Sequence, residues 1–115
     1  MTDKIENIVG IGIIEITEKI DLNKLANNYV NTEYNPERFP GLVMYIEKPH
    51  ATILIFSTGK MVLTGLKKKS DVQLAFDIVL ERFRKIGIKY INPKVKIQNI
   101  VATDNSGWVK TGKIE

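Results

Sequence analysis

The chain contains no cysteine, a single tryptophan and a single histidine in 115 residues. Without cysteine there is no disulfide, no thiolate zinc site and no cysteine nucleophile. No apolar run approaches the roughly 18 residues that a membrane-spanning helix needs. The opening Met-Thr-Asp-Lys-Ile-Glu lacks the basic and apolar regions of a secretory signal. The carboxylates show neither the pairing nor the spacing of a catalytic or metal centre. Gly10-Ile11-Gly12 lacks the third glycine and the following helix of a dinucleotide site. His50 lies in a turn after Pro49, where exposure explains it. Nothing here speaks for an enzyme, a metal, a cofactor or a membrane.

What is present is ordinary globular composition, 43% hydrophobic and 26% charged. The length suits one core and is too short for two. A net charge of +4 and a sequence pI near 9.3 favour polyanionic partners, because basic side chains near phosphates release condensed counterions.

Ile5 to Ile16 is rich in isoleucine and valine and reads as a long strand. Asp21 is a fitting N-cap for a short helix with Leu22, Leu25, Ala26 and Tyr29 on one face. Asn31 to Gly41 reads as a turn-rich connection with Asn35-Pro36 and Pro40-Gly41 as breakers. Three strands follow, Leu42 to Glu47, Ala51 to Phe56 and Met61 to Leu66, the last two joined by Ser57-Thr58-Gly59-Lys60. Connections this short make the sheet antiparallel. Ser70-Asp71-Val72-Gln73 reads as a capping box. It opens a helix with Val72, Ala75, Phe76, Val79, Leu80, Phe83 and Ile86 on one face, basic residues in its last turn and Gly87 as its stop.

The tail repeats the head. Ile97-Gln98-Asn99-Ile100-Val101 matches Ile5-Glu6-Asn7-Ile8-Val9 at four of five positions, 92 residues further on. The shared asparagine inside an apolar strand marks the start of a second copy of one unit. That copy breaks off after Thr103 into a polar tail containing Trp108. The expected organisation is therefore a single repeat over residues 1–92, with 93–115 a partial second-repeat strand and tail of the same domain.

A sheet covered by helices on one face alternates apolar and polar residues, yet Leu42-Val43-Met44-Tyr45-Ile46 and Ala51-Thr52-Ile53-Leu54-Ile55-Phe56 are apolar throughout. Two helices cover one face only, so the second apolar face awaits a ligand surface, another subunit or a second sheet. If Ile53, Ile55 and Leu63 point to the helices, then Leu54, Phe56, Val62 and Thr64 point away, with Asn7 and Val9 beside them. An uncharged face with a few small hydrogen-bonding groups suits the minor groove, which offers sugar edges and the acceptors of A·T pairs.

Two stretches carry a specific resemblance. Tyr34-Asn35-Pro36-Glu37-Arg38-Phe39-Pro40-Gly41 and Leu54-Ile55-Phe56-Ser57-Thr58-Gly59-Lys60-Met61-Val62-Leu63-Thr64-Gly65 closely resemble a repeat of the TATA-box-binding protein family. The strands around Asn7 and Asn99 match where that family's repeats begin, and the likeness runs in order from residue 4 to 103. It implies an α+β fold, a curved antiparallel sheet with two helices on its convex face, half of the family's saddle. That family is itself a standard example of minor-groove proteins that kink DNA by wedging side chains between base steps. The resemblance makes Phe39 and Phe56 the wedges, Asn7 and Thr64 groups at the groove floor, and Val9, Leu54 and Val62 its apolar contacts. Asn99 and Val101 repeat Asn7 and Val9. Arg38, Lys60 and Lys67 correspond to phosphate-contacting positions, which add affinity but no sequence information. Tyr45 stands where the family usually has a basic residue, and Lys67-Lys68-Lys69 replaces a less basic stretch.

The expected function is non-catalytic binding to A·T-rich double-stranded DNA in transcription initiation or its regulation. A homodimer would rebuild the two-fold saddle, although the strand around Asn99 then competes with a partner's Asn7 strand for one place. Transcription factor B or another basal factor is a candidate partner. In the family, however, the acidic stirrup that recruits that factor belongs to the second repeat, and Pro36-Glu37-Arg38 is closer to a first. The alternatives are a module that modulates transcription factors without touching DNA, and an accessory domain for RNA–DNA hybrids such as that of type-three ribonuclease H. Location follows source: cytoplasmic and nucleoid-associated if archaeal, nuclear if eukaryotic. The abundance of Ile, Lys and Asn points to an A·T-rich genome, no nuclear-targeting segment stands out, and an archaeal or archaeal-virus source is expected.

Overall fold

In the computed structural model, which describes residues 5–103, a long first strand organises everything else. This strand, β1 (Ile5–Glu15), alternates buried Ile8, Gly10, Gly12 and Ile14 with more accessible Asn7, Val9, Ile11 and Ile13. The short helix α1 (Leu22–Asn28) follows, and Asp21 caps it as expected: its carboxylate accepts from the Lys24 amide at 3.1 Å. The chain continues through β2 (Thr32–Tyr34), β3 (Leu42–Glu47), β4 (His50–Ile55) and β5 (Lys60–Leu66), then α2 (Lys69–Lys85) and β6 (Ile91–Thr103). The six strands form one open sheet in the order β2-β3-β4-β5-β1-β6, with every neighbouring pair antiparallel.

Both helices lie on one face. Leu22 and Leu25 of α1 join Val72, Ala75, Phe76, Val79, Leu80 and Phe83 of α2 in a single core with the inward residues of β1, β3, β4 and β5. Among the described residues no polar or charged side chain is buried in it. Tyr29 ties the helices together: its hydroxyl donates to the Arg82 carbonyl at 2.8 Å, and the Arg82 guanidinium lies 5.4 Å from its ring centroid. Gly10 and Gly12 of β1 are gaps that let α2 approach. A Cβ on Gly12 would lie 2.5 Å from Phe76 Cε1, and one on Gly10 would lie 2.8 Å from Val72 Cγ1.

Three expectations need correction. Residues 31–41 are not turn throughout, because Thr32–Tyr34 pairs with Leu42–Met44 as the edge strand β2. The capping box is not formed. The N-cap of α2 is Lys68, with no side-chain cap bond, and Ser70 already lies inside the helix. Gln73 instead donates to Asp77 Oδ1 at 2.9 Å, one turn on. Third, the second-repeat strand begins at Ile91, two residues before the expected boundary at 93.

That strand also has a definite place: β6 lies antiparallel along the free edge of β1. Asn7 is opposite Val101, Ile8 opposite Ile100 and Val9 opposite Asn99. Ile8 and Ile100 are the same position of the repeat, so the two copies meet across a local two-fold axis at this pair. The tail from residue 104 on, Trp108 included, lies outside the described residues.

Candidate nucleic-acid interface

The face that the helices leave open is built by strand parity. In β4 and β5, Ile53, Ile55, Met61 and Leu63 are fully buried against the helices, while Leu54, Val62 and Thr64 on the alternate positions are half-buried. Register joins these residues into transverse rows. Val43, Leu54, Val62 and Ile11 run across β3, β4, β5 and β1, and Tyr45, Thr52 and Thr64 form the next row. Val9 continues the strip along β1. The result is an apolar floor facing away from the core, as the alternation of Ile53 to Phe56 requires.

Phe39 and Phe56, seventeen residues apart in sequence, meet on this side. Their ring centroids are 5.6 Å apart with an interplanar angle of 62°, an edge-to-face pair, and both rings are half-buried. Two features hold them. Phe56 directly follows β4, with its amide bonded to the Lys60 carbonyl across the turn. Phe39 closes a helical turn, its amide donating to the Asn35 carbonyl at 3.0 Å. Gly41 makes the meeting possible. A Cβ there would lie 2.9 Å from Phe39 Cε2, 3.0 Å from Phe56 Cε1 and 3.1 Å from the Ile55 carbonyl oxygen. In sequence Gly41 is a turn breaker beside Pro40; its contacts make it the seat of the aromatic pair.

The small polar groups are exposed or half-buried beside the floor. Asn7 Oδ1 accepts from the Gly65 amide at 2.8 Å, bridging the irregularity in β1–β5 pairing where Gly65 takes a φ of +81°. This is the strand-to-strand bond that competes with a groove role, but it occupies only the acceptor end of the amide. The Nδ2 end, a donor, suits the acceptor-rich floor of A·T pairs. Thr64 donates its hydroxyl to the Thr52 carbonyl at 3.3 Å. Asn99 and Val101 pair with Val9 and Asn7 through the backbone, which brings the two copies of the motif side by side.

Arg38, Lys60 and Lys67 are all exposed, in the β2–β3 connection, at the start of β5 and just beyond its end. Tyr45, 40% exposed, occupies the open face where the resemblance expected a cation. Among the described residues no group of three or more His, Asp or Glu side chains is arranged to hold a metal ion. No helix of the described residues is long and apolar enough to cross a membrane.

Comparison with known proteins agrees with this geometry. Residues 2–86 match the family model described as transcription factor TFIID, or TATA-binding protein. A TATA-box-binding protein of Pyrodictium occultum is 45% identical over 105 residues, covering 90% of this chain and 52% of that protein. The one from Archaeoglobus fulgidus is 43% identical over the same length, covering 90% and 56% respectively. Among solved structures, Methanococcus jannaschii TBP superposes with a TM-score of 0.75 at 38% identity, over 88% of this chain and 57% of that one. The chain thus spans a little over half the length of these relatives. With a matching family model over most of its residues and the same open antiparallel sheet backed by two helices, this chain belongs to the TATA-binding protein family, a family of transcription factors and not of enzymes.

Proposed function

We propose that the open face binds the minor groove of A·T-rich, TATA-like DNA, and that the chain acts in transcription initiation or its regulation. The observation that carries this reading is the Phe39–Phe56 pair, held by Gly41 beside an uncharged floor of Val9, Leu54 and Val62. An aromatic ring inserted at a base step replaces base stacking and opens the groove to the sheet. The floor supplies apolar contact with sugar edges. Asn7, Thr64 and Asn99 contribute hydrogen bonds, Val101 extends the apolar contact, and Arg38, Lys60 and Lys67 take phosphates. A·T preference follows because a G·C pair places an exocyclic amine on the groove floor, against an apolar surface that cannot accept its hydrogen bond. A nucleoid-associated location, consistent with the archaeal source of the relatives, and transcription factor B or another basal factor as a protein partner complete the proposal.

A second copy of the chain completes a two-fold saddle in this reading. Its support is the β1–β6 register, since two β1 strands crossing a true dyad at Ile8 would present the same side chains to each other. Because β6 holds that edge within the chain, dimerisation competes with an intramolecular strand. The dimer therefore forms mainly on DNA, where two half-sites raise the effective concentration. Light scattering is expected to give one chain free and two on a TATA-like duplex. One chain on saturated DNA rejects the dimer and leaves the DNA reading standing.

Titration of a labelled duplex with and without a TATA-like element, at two salt concentrations, tests the main reading. Element-dependent binding supports it. Binding that ignores sequence and vanishes with salt refutes it, and directs attention to a protein partner on the open face.

A further inference from the structure

Resting on that DNA reading, with β6 keeping its place along β1 rather than yielding it to a second copy, we propose that Lys94 and Lys96 of β6 are phosphate-contacting residues that carry the nucleic-acid footprint onto the sixth strand. Neither belongs to the repeated five-residue motif, and the resemblance assigns neither a role. Their placement follows from register. Ile13 of β1 is paired with Lys60 on one side and Lys94 on the other, and Ile11 is paired with Val62 on one side and Lys96 on the other. Directly opposed residues of antiparallel strands share a face, so both lysines stand on the open face beside Ile11 and Ile13. The alternate residues take the helix face: Val95, opposite Gly12, is partly buried against the core, and Ile97 lies opposite Gly10.

The open face thus ends in a basic corner. Lys60, Ile13 and Lys94 form one row and Val62, Ile11 and Lys96 the next, with all three lysines exposed. Two strand spacings put Lys60 and Lys94 about 10 Å apart at the backbone. The acidic residue nearest in register is Glu15, opposite Ile91 and bonded through Oε1 to Asn92 Nδ2 at 3.1 Å. A duplex seated with its minor groove on the floor of Leu54, Val62 and Ile11 has a phosphate strand along each border of that groove. The lysine corner lies at such a border, next to the phosphate-contacting position already proposed at Lys60. Ile13 between the lysines is 49% exposed and gives their long aliphatic stems an apolar surface to lie along.

The competing explanation is that lysines on an edge strand only discourage aggregation, which would leave DNA affinity untouched. The full-length chain carrying Lys94→Gln and Lys96→Gln together separates the two. Each phosphate contact steepens the fall of log K with log salt by about 0.9. The double variant is therefore expected to flatten the slope by about 1 to 2 and to weaken TATA-like and unrelated duplexes by the same factor. Lys94→Arg with Lys96→Arg should restore the wild-type slope, and Lys85→Gln on α2 should leave it unchanged. A wild-type slope in the double glutamine variant overturns this inference while leaving the DNA reading intact. Absence of element-dependent binding by the wild-type chain removes both.

Discussion

Replacing Gly12 by alanine sets two opposing effects against each other, and the structure says which prevails. Gly12 has no positive φ, so alanine gains up to about 1 kcal/mol by restricting the unfolded chain. Against this, the new Cβ would stand 2.5 Å from Phe76 Cε1, 2.9 Å from Cδ1 and 3.4 Å from Cζ. These three atoms belong to one rigid ring, itself 1% exposed in the core, so no flexible side-chain end can give way. Reaching ordinary carbon–carbon separation requires α2 to lift by about 1 Å. Overpacking of this kind costs about 1–3 kcal/mol, and backing by the whole helix places it in the upper half of that range. A net loss of about 2 kcal/mol lowers the melting temperature of a domain this size by about 8 °C. Circular dichroism melts of the two proteins measure it. Because Gly12 faces the helices, element-dependent DNA affinity should be unchanged at a temperature where both are folded. A melting temperature equal to or above wild type would refute the packing argument, showing that the backbone gain wins and that α2 is not seated as closely as described.

Two further outcomes are expected. Gly41→Ala pushes on both Phe39 and Phe56 from the opposite side of the same sheet, so it should weaken DNA binding roughly tenfold or more, about 1.4 kcal/mol. It should lower the melting temperature less than Gly12→Ala; unaltered affinity would contradict the seating role of Gly41. At the helix starts, Asp21→Ala should cost about 1 kcal/mol by removing the cap on α1, whereas Ser70→Ala should cost almost nothing because Ser70 is not the cap of α2. Comparable losses in chemical denaturation would contradict the observed caps.

The open face was legible in sequence because Ile53 to Phe56 and Met61 to Thr64 leave only two ways to face a strand, and the apolar stripe of α2 takes one of them. The long α2 stripe from Val72 to Phe83 was legible for the same reason: its period recurs over several turns. What failed was short or dependent on distant contacts. Thr32–Tyr34 is too brief to show alternation, and it becomes a strand only because Leu42–Met44 lies alongside. Ser70 and Gln73 had the spacing of a capping box, but that spacing does not fix which residue leaves the helix first, and Lys68 does so. Pro93 lies within β6, an edge strand, where proline is tolerated. Of the candidate site, Phe39 entered only through the family resemblance, whereas the outward placing of Phe56, the apolar floor and Asn7 was readable from strand parity. The roles of Gly41, Gly12 and the Lys60–Ile13–Lys94 row were not, since each depends on register or on a contact between segments far apart in sequence.

The central claim is that this sheet face grips and kinks A·T-rich DNA through Phe39 and Phe56. Fluorescence energy transfer between dyes at the ends of a short TATA-like duplex tests it most directly, with the wild-type chain and with Phe56→Ala. Phe56 is only half-buried, so the variant should stay folded at the assay temperature, which its melting curve will confirm. Wild type should raise transfer, reflecting a bent duplex, and Phe56→Ala should raise it little or not at all at equal occupancy. Binding by wild type without a change in transfer, or an equal change with a folded Phe56→Ala, would contradict it.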